Sequence, residues 1–212
     1  MTRILLTGFE PFGGESTNPS LLAVQRLATG PTPENVQLVG VSLPVVFDAA
    51  IDVLTAAVDE HEPDIVICVG EAGGRVAVTP ERFALNLDDA GFPDNAGGHP
   101  LDHTIVEAGP VAYRSTLPVT DLVQAMRAAG IPAAPSSSAG NYVCNNVFYG
   151  LMHLIATTRP QLVGGFVHVP YMHEQVVDRA EARPSLSIAT ITEAIAIAVT
   201  TTVRFRAQQR QG

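Results

Sequence analysis

Short runs of hydrophobic residues recur along the chain. Such runs are typical of strands that are buried on both faces of a parallel sheet. A further segment, residues 76–87, alternates between apolar and polar positions enough to predict an extended strand. The apolar runs cover residues 3–8, 36–43, 64–70 and 162–169.

Apolar residues at helical spacing occupy much of the sequence between these runs. Asn18 followed by Pro19 supplies a helix N-cap and a proline that the first turn tolerates. Because strands and helices alternate, the pattern predicts an α/β fold in which right-handed crossovers join parallel strands. The predicted helices cover about residues 18–28, 46–61, 120–129, 141–157 and 185–206.

The composition is that of an ordinary globular protein with a negative balance of charge. The 212 residues are 46% hydrophobic and 16% charged, and the net charge of −9 argues against nucleic acid or an anionic membrane as partner. Two cysteines, no leader sequence and no apolar run of membrane length favour a cytoplasmic, reducing location. Because the sequence has no internal repeat and no break in composition, residues 1–212 are expected to form a single domain.

Residues 88–112 are rich in glycine, proline and aspartate and predict a long loop, which in a compact domain is usually functional or mobile. His99 and His103 have the spacing of two metal ligands on a helix, but their surroundings predict a loop, so we expect no metal. Neither a GxGxxG fingerprint nor a phosphate-binding P-loop occurs, so we expect no nucleotide cofactor. The sequence does not decide whether the loop is a mobile lid.

Residues 136–146, SSSAGNYVCNN, predict the end of a strand, a tight turn and the start of a helix. Gly140 permits the turn, and Asn141 is a suitable N-cap for the helix. Cys144 would lie in the first helical turn, where unpaired amides and the helix dipole favour a thiolate nucleophile. The alternative is a small buried hydrophobic residue, which is our interpretation of Cys68 in its apolar strand.

A cysteine hydrolase needs an imidazole beside its thiolate and an acceptor that orients the imidazole. His168 lies at the end of the last apolar run. The start of a helix and the end of the next strand meet at one edge of a βαβ sheet, so Cys144 and His168 are expected to converge. Glu81 is a carboxylate within a predicted strand, where a charge is costly unless it is paired. The simpler alternatives for Glu81 are an ion pair with Arg82 or an edge position that faces water.

Five motifs extend this interpretation over nearly the whole chain: GFEPFGG, TPER around Glu81, DDAGFPDN, SAGNYVCN and GFVHVPYMHEQ. Their order and spacing resemble those of the pyroglutamyl peptidase I family, for which the cysteine motif is highly specific. The resemblance implies a metal-free cytoplasmic cysteine exopeptidase that forms a homotetramer or dimer. It also implies a three-layer α/β/α sandwich with a twisted, mostly parallel central sheet. By resemblance, Cys144 is the nucleophile, His168 the general base and acid, and Glu81 the residue that orients the imidazole.

The implied substrates are small peptides with an N-terminal pyroglutamyl residue, released through a thioester intermediate. The pyroglutamyl ring is flat, uncharged and small, so aromatic walls and backbone hydrogen bonds suit it better than a charged clamp. The family usually has glutamine where this chain has Glu71 and arginine where it has Gly91. The glutamate is harmless if only its backbone binds the lactam and weakens binding if its side chain faces the pocket, whereas loss of an oxyanion-stabilising arginine predicts a working but slower enzyme. The substrate-binding residues implied by resemblance are Phe9, Phe12, Asn18, Glu71, Tyr142 and Val143.

Three other functions are compatible with the sequence alone. The chain could be a cysteine amidohydrolase for another small acyl group, or a catalytically weakened binder of pyroglutamyl peptides. A nucleoside phosphorylase-like protein is the third, because the implied fold is shared with that class. The acidic balance and the absence of a phosphate loop weigh against this third function.

Overall fold

A five-stranded sheet lies at the centre of this computed structural model, which describes residues 1–32 and 34–210. Two short two-stranded sheets lie beside it. The strands are β1 (Thr2–Phe9), β2 (Val36–Leu43), β3 (Ile65–Glu71), β4 (Thr79–Pro80), β5 (Phe83–Leu85), β6 (Ala112–Arg114), β7 (Val163–Val169), β8 (Tyr171–Met172) and β9 (Ser185–Leu186).

The central sheet has the strand order β2-β1-β3-β7-β4. β1 pairs in parallel with β2 and β3, and β3 pairs in parallel with β7. Only β4, at the edge, is antiparallel to its neighbour β7. The mostly parallel sheet that the sequence predicted is therefore confirmed, and the carboxyl ends of β1, β3 and β7 lie at one edge of it.

Helices cover both faces of the sheet and form two separate hydrophobic cores. One core joins α1, α3 and α5 to side chains such as Ile4 and Ile67. The other joins α2 and α4 to side chains such as Leu5 and Phe166. This is the expected three-layer α/β/α sandwich. The helices are α1 (Pro19–Thr29), α2 (Ala49–His61), α3 (Val119–Ala128), α4 (Val143–Thr157) and α5 (Ile188–Gln209).

The segment 76–87 differs most from its predicted structure, because it is not one continuous strand. β4 is only two residues long and pairs with β7, and β5 turns away to pair with β6. Pro80 has no backbone N–H to continue a ladder. Glu81 lies between the two strands and donates its own N–H to the Phe166 carbonyl at 2.9 Å.

Two helices begin three residues later than predicted. The helix expected from residue 46 begins at Ala49, because Asp48 has a φ of 59° and interrupts helical geometry. The final helix begins at Ile188, three residues later than expected, and Ser187 caps it by accepting a hydrogen bond from the Thr190 N–H.

Helix α5 is 22 residues long and, by length and composition alone, apolar enough to cross a membrane. The sequence predicted no membrane span here, because Glu193 and several threonines interrupt the stretch. Its apolar residues have a clear role in the core against α1, α3 and the sheet. Those that are buried there are Ile191, Ala194, Ile195, Ala198 and Val199.

Candidate active site

Cys144 is the second residue of α4 and lies at the edge of the sheet where β3 and β7 end. The helix cap is Tyr142, which makes no side-chain capping hydrogen bond, so Asn141 is not the N-cap that the sequence predicted. The first N–H groups of a helix have no intrahelical acceptor, and that of Cys144 is one of them. The nucleophile candidate therefore combines a sulfur and a free backbone donor.

His168 and Glu81 form a buried hydrogen-bonded pair. The Nδ1 atom of His168 lies 2.7 Å from Oε1 of Glu81, and neither side chain is more than 3% exposed. A carboxylate accepts hydrogen bonds only, so Nδ1 carries the proton and Nε2 is left as a lone pair. Antiparallel pairing of Thr79 with His168 keeps β4, and with it Glu81, beside the end of β7.

Arg75 is the ion-pair partner of Glu81, not Arg82 as one alternative proposed. Its Nη1 donates to Oε1 of Glu81 at 2.6 Å and also to the hydroxyl of Thr79. Its Nη2 donates to the Ser138 carbonyl at 3.0 Å, in the turn that precedes Cys144. A single guanidinium thus joins the carboxylate to the nucleophile's turn.

The pair is arranged to keep one member charged and the other neutral. Burial opposes ionisation of Glu81, but the hydrogen bond from His168 and the charge of Arg75 lower its pKa. Burial lowers the pKa of His168, although its hydrogen bond to Glu81 acts in the opposite direction. An ionised carboxylate beside a neutral imidazole is the resting state of a general base.

The sulfur of Cys144 is a thiol at rest and not the preformed thiolate that the helix position suggested. Burial raises the pKa of Cys144 to about 12, and the charges of Glu81 and Glu71 add to this effect. Within the described chain no hydrogen bond joins Sγ to the His168 ring, although both residues line the same cavity. The proton must therefore leave the sulfur when it attacks.

Gly70 provides the space that the sulfur occupies. It lies opposite His168 in the register of β3 and β7. A Cβ built on Gly70 would lie 2.9 Å from Sγ of Cys144 and 2.7 Å from the ring of Phe166. Such distances are too short for a real methyl group, so this position needs glycine. Cys68, two residues earlier, is fully buried, as the sequence predicted.

A cavity of about 580 Å³ opens at this edge of the sheet, large enough for a small peptide segment. Among the substrate-binding residues expected from sequence, Phe12, Glu71 and Tyr142 line it, together with Cys144 and His168. The other three do not. Phe9 is packed in the core against Phe166, Asn18 caps α1, and Val143 is completely buried.

Aromatic rings form one wall of the cavity. Tyr142 lies between three others, with ring centroids 6.3 Å from Phe12, 5.4 Å from Phe47 and 4.6 Å from Phe92. Phe92 is 48% exposed and lines the cavity, although it was not among the substrate-binding residues predicted from the sequence. Its position directly after Gly91 in the predicted functional loop was the available signal.

Glu71 lies at the end of β3 in a network of charged and polar groups. Its Oε2 accepts a hydrogen bond from Nε2 of Gln175 at 2.8 Å. Burial raises the pKa of Glu71 to about 7, and the nearby charge of Glu15 adds to this, whereas Arg179 opposes it. Arg179 itself pairs with Glu15 and lies over the Tyr171 ring, 4.5 Å from its centroid. A half-neutral carboxyl group therefore faces the cavity near neutral pH.

The 88–112 loop is held in place by many hydrogen bonds. The carboxylate of Asp94 accepts from the N–H groups of Phe47, Ala96 and Gly98. The hydroxyl of Tyr142 donates to the Pro93 carbonyl at 3.2 Å, next to the aromatic wall. These contacts argue for a fixed wall in this part of the loop.

His99 and His103, which we considered as metal ligands, are engaged within the loop. Nε2 of His99 lies 2.8 Å from the Ala90 carbonyl, and the backbone of His103 bridges to Asp88. In residues 1–32 and 34–210, no group of three histidine, cysteine or acidic side chains is placed to hold a metal ion. Asp88 is buried, and burial raises its pKa to about 6 although Asn146 donates to it at 2.7 Å.

Sequence comparisons agree with this geometry. The family model described as pyroglutamyl peptidase matches residues 2–205. The chain belongs to the pyroglutamyl peptidase family. It is 50% identical to a pyrrolidone-carboxylate peptidase of Streptomyces coelicolor over 209 residues, 99% of this chain and 95% of that protein. A pyrrolidone-carboxylate peptidase of Bacillus licheniformis is also 50% identical, over 92% of this chain and 90% of the relative.

Solved structures of the family share the fold. The crystal structure of pyroglutamyl peptidase I from Bacillus amyloliquefaciens superimposes with a TM-score of 0.92 at 45% identity, covering 97% of this chain and 98% of that one. A mutant pyrrolidone carboxyl peptidase from Pyrococcus furiosus gives the same TM-score at 41% identity, covering 96% and 99% of the two chains. The sandwich is therefore the fold of this family.

Proposed function

We propose that this protein hydrolyses the amide bond after an N-terminal pyroglutamyl residue of small peptides, with Cys144, His168 and Glu81 as its catalytic residues. The observation that carries the proposal is the His168–Glu81 pair, joined at 2.7 Å, at the cavity that Cys144 also lines. Family membership over residues 2–205 supports the choice of substrate.

The first chemical step is acylation of the sulfur. His168 is neutral at rest and takes the thiol proton on Nε2 as Sγ of Cys144 attacks the pyroglutamyl carbonyl carbon. The Cys144 N–H donates to the oxyanion that develops on that carbonyl. The imidazolium then gives its proton to the departing amine, the C–N bond breaks, and a thioester remains. Glu81 stabilises the imidazolium while it exists.

The second step returns the enzyme to its starting state. A water molecule attacks the thioester carbonyl while His168 accepts one of its protons. The C–S bond breaks, free pyroglutamate forms, and the sulfur regains its proton from the imidazolium. No cofactor takes part in either step.

The cavity suits a neutral, flat acyl group. Phe12, Tyr142 and Phe92 offer ring faces to a five-membered lactam, and Glu71 can serve it through its backbone groups. N-terminal proline is the informative competitor, because it has the same ring without the lactam carbonyl. A site that donates a hydrogen bond to the lactam carbonyl would reject proline, because the buried donor would be left without an acceptor.

The decisive experiment compares hydrolysis of a pyroglutamyl amide and a prolyl amide by the wild-type protein and by Cys144→Ser. We expect cleavage of the pyroglutamyl amide alone, and loss of that cleavage in the variant. Equal cleavage of both amides would instead support a cysteine amidohydrolase for another acyl group. Binding of the amide without turnover would support a weakened binder, and protection of Cys144 from iodoacetamide by phosphate would support a phosphorylase-like site.

We also propose a cytoplasmic location and assembly into a homotetramer or dimer. Both cysteines are free thiols, which is compatible with a reducing compartment. Analytical ultracentrifugation of the purified protein tests assembly, and a sedimentation coefficient of a monomer at micromolar concentration would contradict it.

A further inference from the structure

Arg75 contacts both Glu81 and the turn that precedes Cys144, so it does more than balance the charge of Glu81. Its Nη1 shares Oε1 of Glu81 with Nδ1 of His168, at 2.6 and 2.7 Å respectively. Its Nη2 reaches the Ser138 carbonyl, six residues before Cys144. The side chain is one-quarter exposed and lines the cavity, whereas the carboxylate that it pairs with is fully buried.

We propose that Arg75 is a positioning residue for the reaction proposed above, on which this inference rests: it holds the Glu81 carboxylate charged beneath His168 and fixes it to the turn that carries Cys144. The guanidinium is suited to both tasks because its fork makes two hydrogen bonds in a fixed plane. Losing it would leave the carboxylate buried with only a neutral imidazole as partner.

The charge of Arg75 acts on all three members of the site. It contributes to lowering the pKa of Glu81 and of His168, and it opposes the larger effect of burial, which raises the pKa of Cys144. A neutral His168 is therefore partly a consequence of Arg75, since an unopposed carboxylate would favour the imidazolium. The other ionisable groups that line the same cavity are Glu15, Glu71, Arg179 and the phenols of Tyr142 and Tyr171.

The test is Arg75→Met, with Arg82→Met as the matched control. Arg82 is exposed, follows Glu81 in the chain, and its side chain forms no hydrogen bond or ion pair in the described residues. Both variants remove one positive charge. We expect kcat for a pyroglutamyl amide to fall about 10- to 100-fold in Arg75→Met with little change in KM, and to stay near the wild-type value in the control.

The pH profile separates positioning from mere structural support. His168 acts as a base only when neutral, so activity falls on the acid side of its pKa. Removal of Arg75 raises the pKa of His168, and the acid limb of kcat/KM should move to higher pH. Arg75→Lys retains the charge without the fork, so its acid limb should stay near that of the wild type while kcat falls.

Some outcomes would overturn the inference. A lower melting temperature with an unmoved acid limb in Arg75→Met would mean that the arginine only supports the fold. Equal effects of Arg75→Met and Arg82→Met would mean that net charge alone matters. Arg75→Gln, which replaces the guanidinium with a neutral polar group, carries the same pH test if the methionine variant does not fold.

A measurement without substrate separates this inference from the proposed function. The ring protons of His168, assigned by their absence in His168→Asn, can be titrated by NMR in the wild type and in Arg75→Met. An upward shift of the His168 pKa supports the inference even if no pyroglutamyl amide is cleaved. No shift would overturn it even if the wild-type enzyme is active.

Discussion

Glu81 and Glu71 are two buried carboxyl groups in one site, and their surroundings shift their pKa values in opposite directions. Glu81 is fully buried, but Arg75 and His168 both contact it, and its pKa is lowered. Glu71 is 7% exposed and its hydrogen-bonding partner is the neutral amide of Gln175, so burial raises its pKa to about 7. The comparison teaches that the partner decides the charge of a buried acid.

Replacing each glutamate by glutamine tests this comparison most directly. Glu81→Gln should lower kcat on the order of a thousandfold or more, because an amide neither fixes the imidazole tautomer nor stabilises the imidazolium. Glu71→Gln should leave kcat within a few-fold of wild type. Steady-state kinetics on a pyroglutamyl amide provide the measurement. Similar losses in the two variants would show that both carboxylates serve the same step.

At Gly91 this chain lacks the positively charged arginine that the family usually has. A Cβ at this position meets nothing within 4 Å, so a larger side chain has room. If the family arginine helps to hold the oxyanion, Gly91→Arg should raise kcat, by up to about a hundredfold. Gly91→Gln, with a neutral donor of similar reach, is the control. An unchanged kcat in Gly91→Arg would contradict the idea that this chain is slowed at that position.

The free energy of unfolding should depend on pH in opposite ways at Glu71 and at Glu81. The pKa of Glu71 in the folded protein is about 7 against an ordinary 4.5, so the wild type loses stability as pH rises through this window. Glu71→Gln should therefore be more stable than wild type at pH 8, by up to about 3 kcal/mol, and no more stable at pH 4.

The pKa of Glu81 is lowered, so its carboxylate contributes stability at neutral pH and loses that contribution as pH falls. Glu81→Gln should accordingly be destabilised at pH 8. Urea unfolding of both variants at several pH values measures these differences. A Glu71→Gln variant that is less stable than wild type at pH 8 would show that the Glu71–Gln175 hydrogen bond outweighs the cost of burial.

The smallest expected effect concerns substrate affinity. Above pH 7 Glu71 is ionised and presents a negative charge to a neutral lactam, so KM of the wild type should rise a few-fold between pH 6 and pH 8. In Glu71→Gln the KM should not change over this range. A KM that rises equally in both proteins would assign the effect to another group, such as Asp88.

Sequence patterns predicted the sheet well because its strands are apolar on both faces. β1, β2, β3 and β7 each begin and end within one residue of the predicted runs. The 76–87 segment was predicted less well, since alternation does not reveal that Pro80 ends one strand and that the chain then changes partner. Helix α2 was predicted three residues too long because the positive φ of Asp48 has no sequence signature.

The sequence predicted the site where topology alone determines it. Cys144 and His168 line the same cavity because a helix start and a strand end share one edge of the sheet. Arg75 was missed because its role depends on the reach of a long side chain across the loop after β3. Phe9 was expected at the cavity but lies in the core, because it is the last residue of β1 and packs against Phe166, whereas Phe12 lies in the loop that follows and reaches the cavity.

The chemistry of this enzyme depends on Gly70 having no Cβ atom. A methyl group there would displace both the sulfur of Cys144 and the ring of Phe166, while the substitution itself removes no ionisable group. Gly70→Ala is therefore a route to an inactive protein whose ionic groups are all retained. Such a variant would allow an intact peptide to be observed in the cavity without being cleaved.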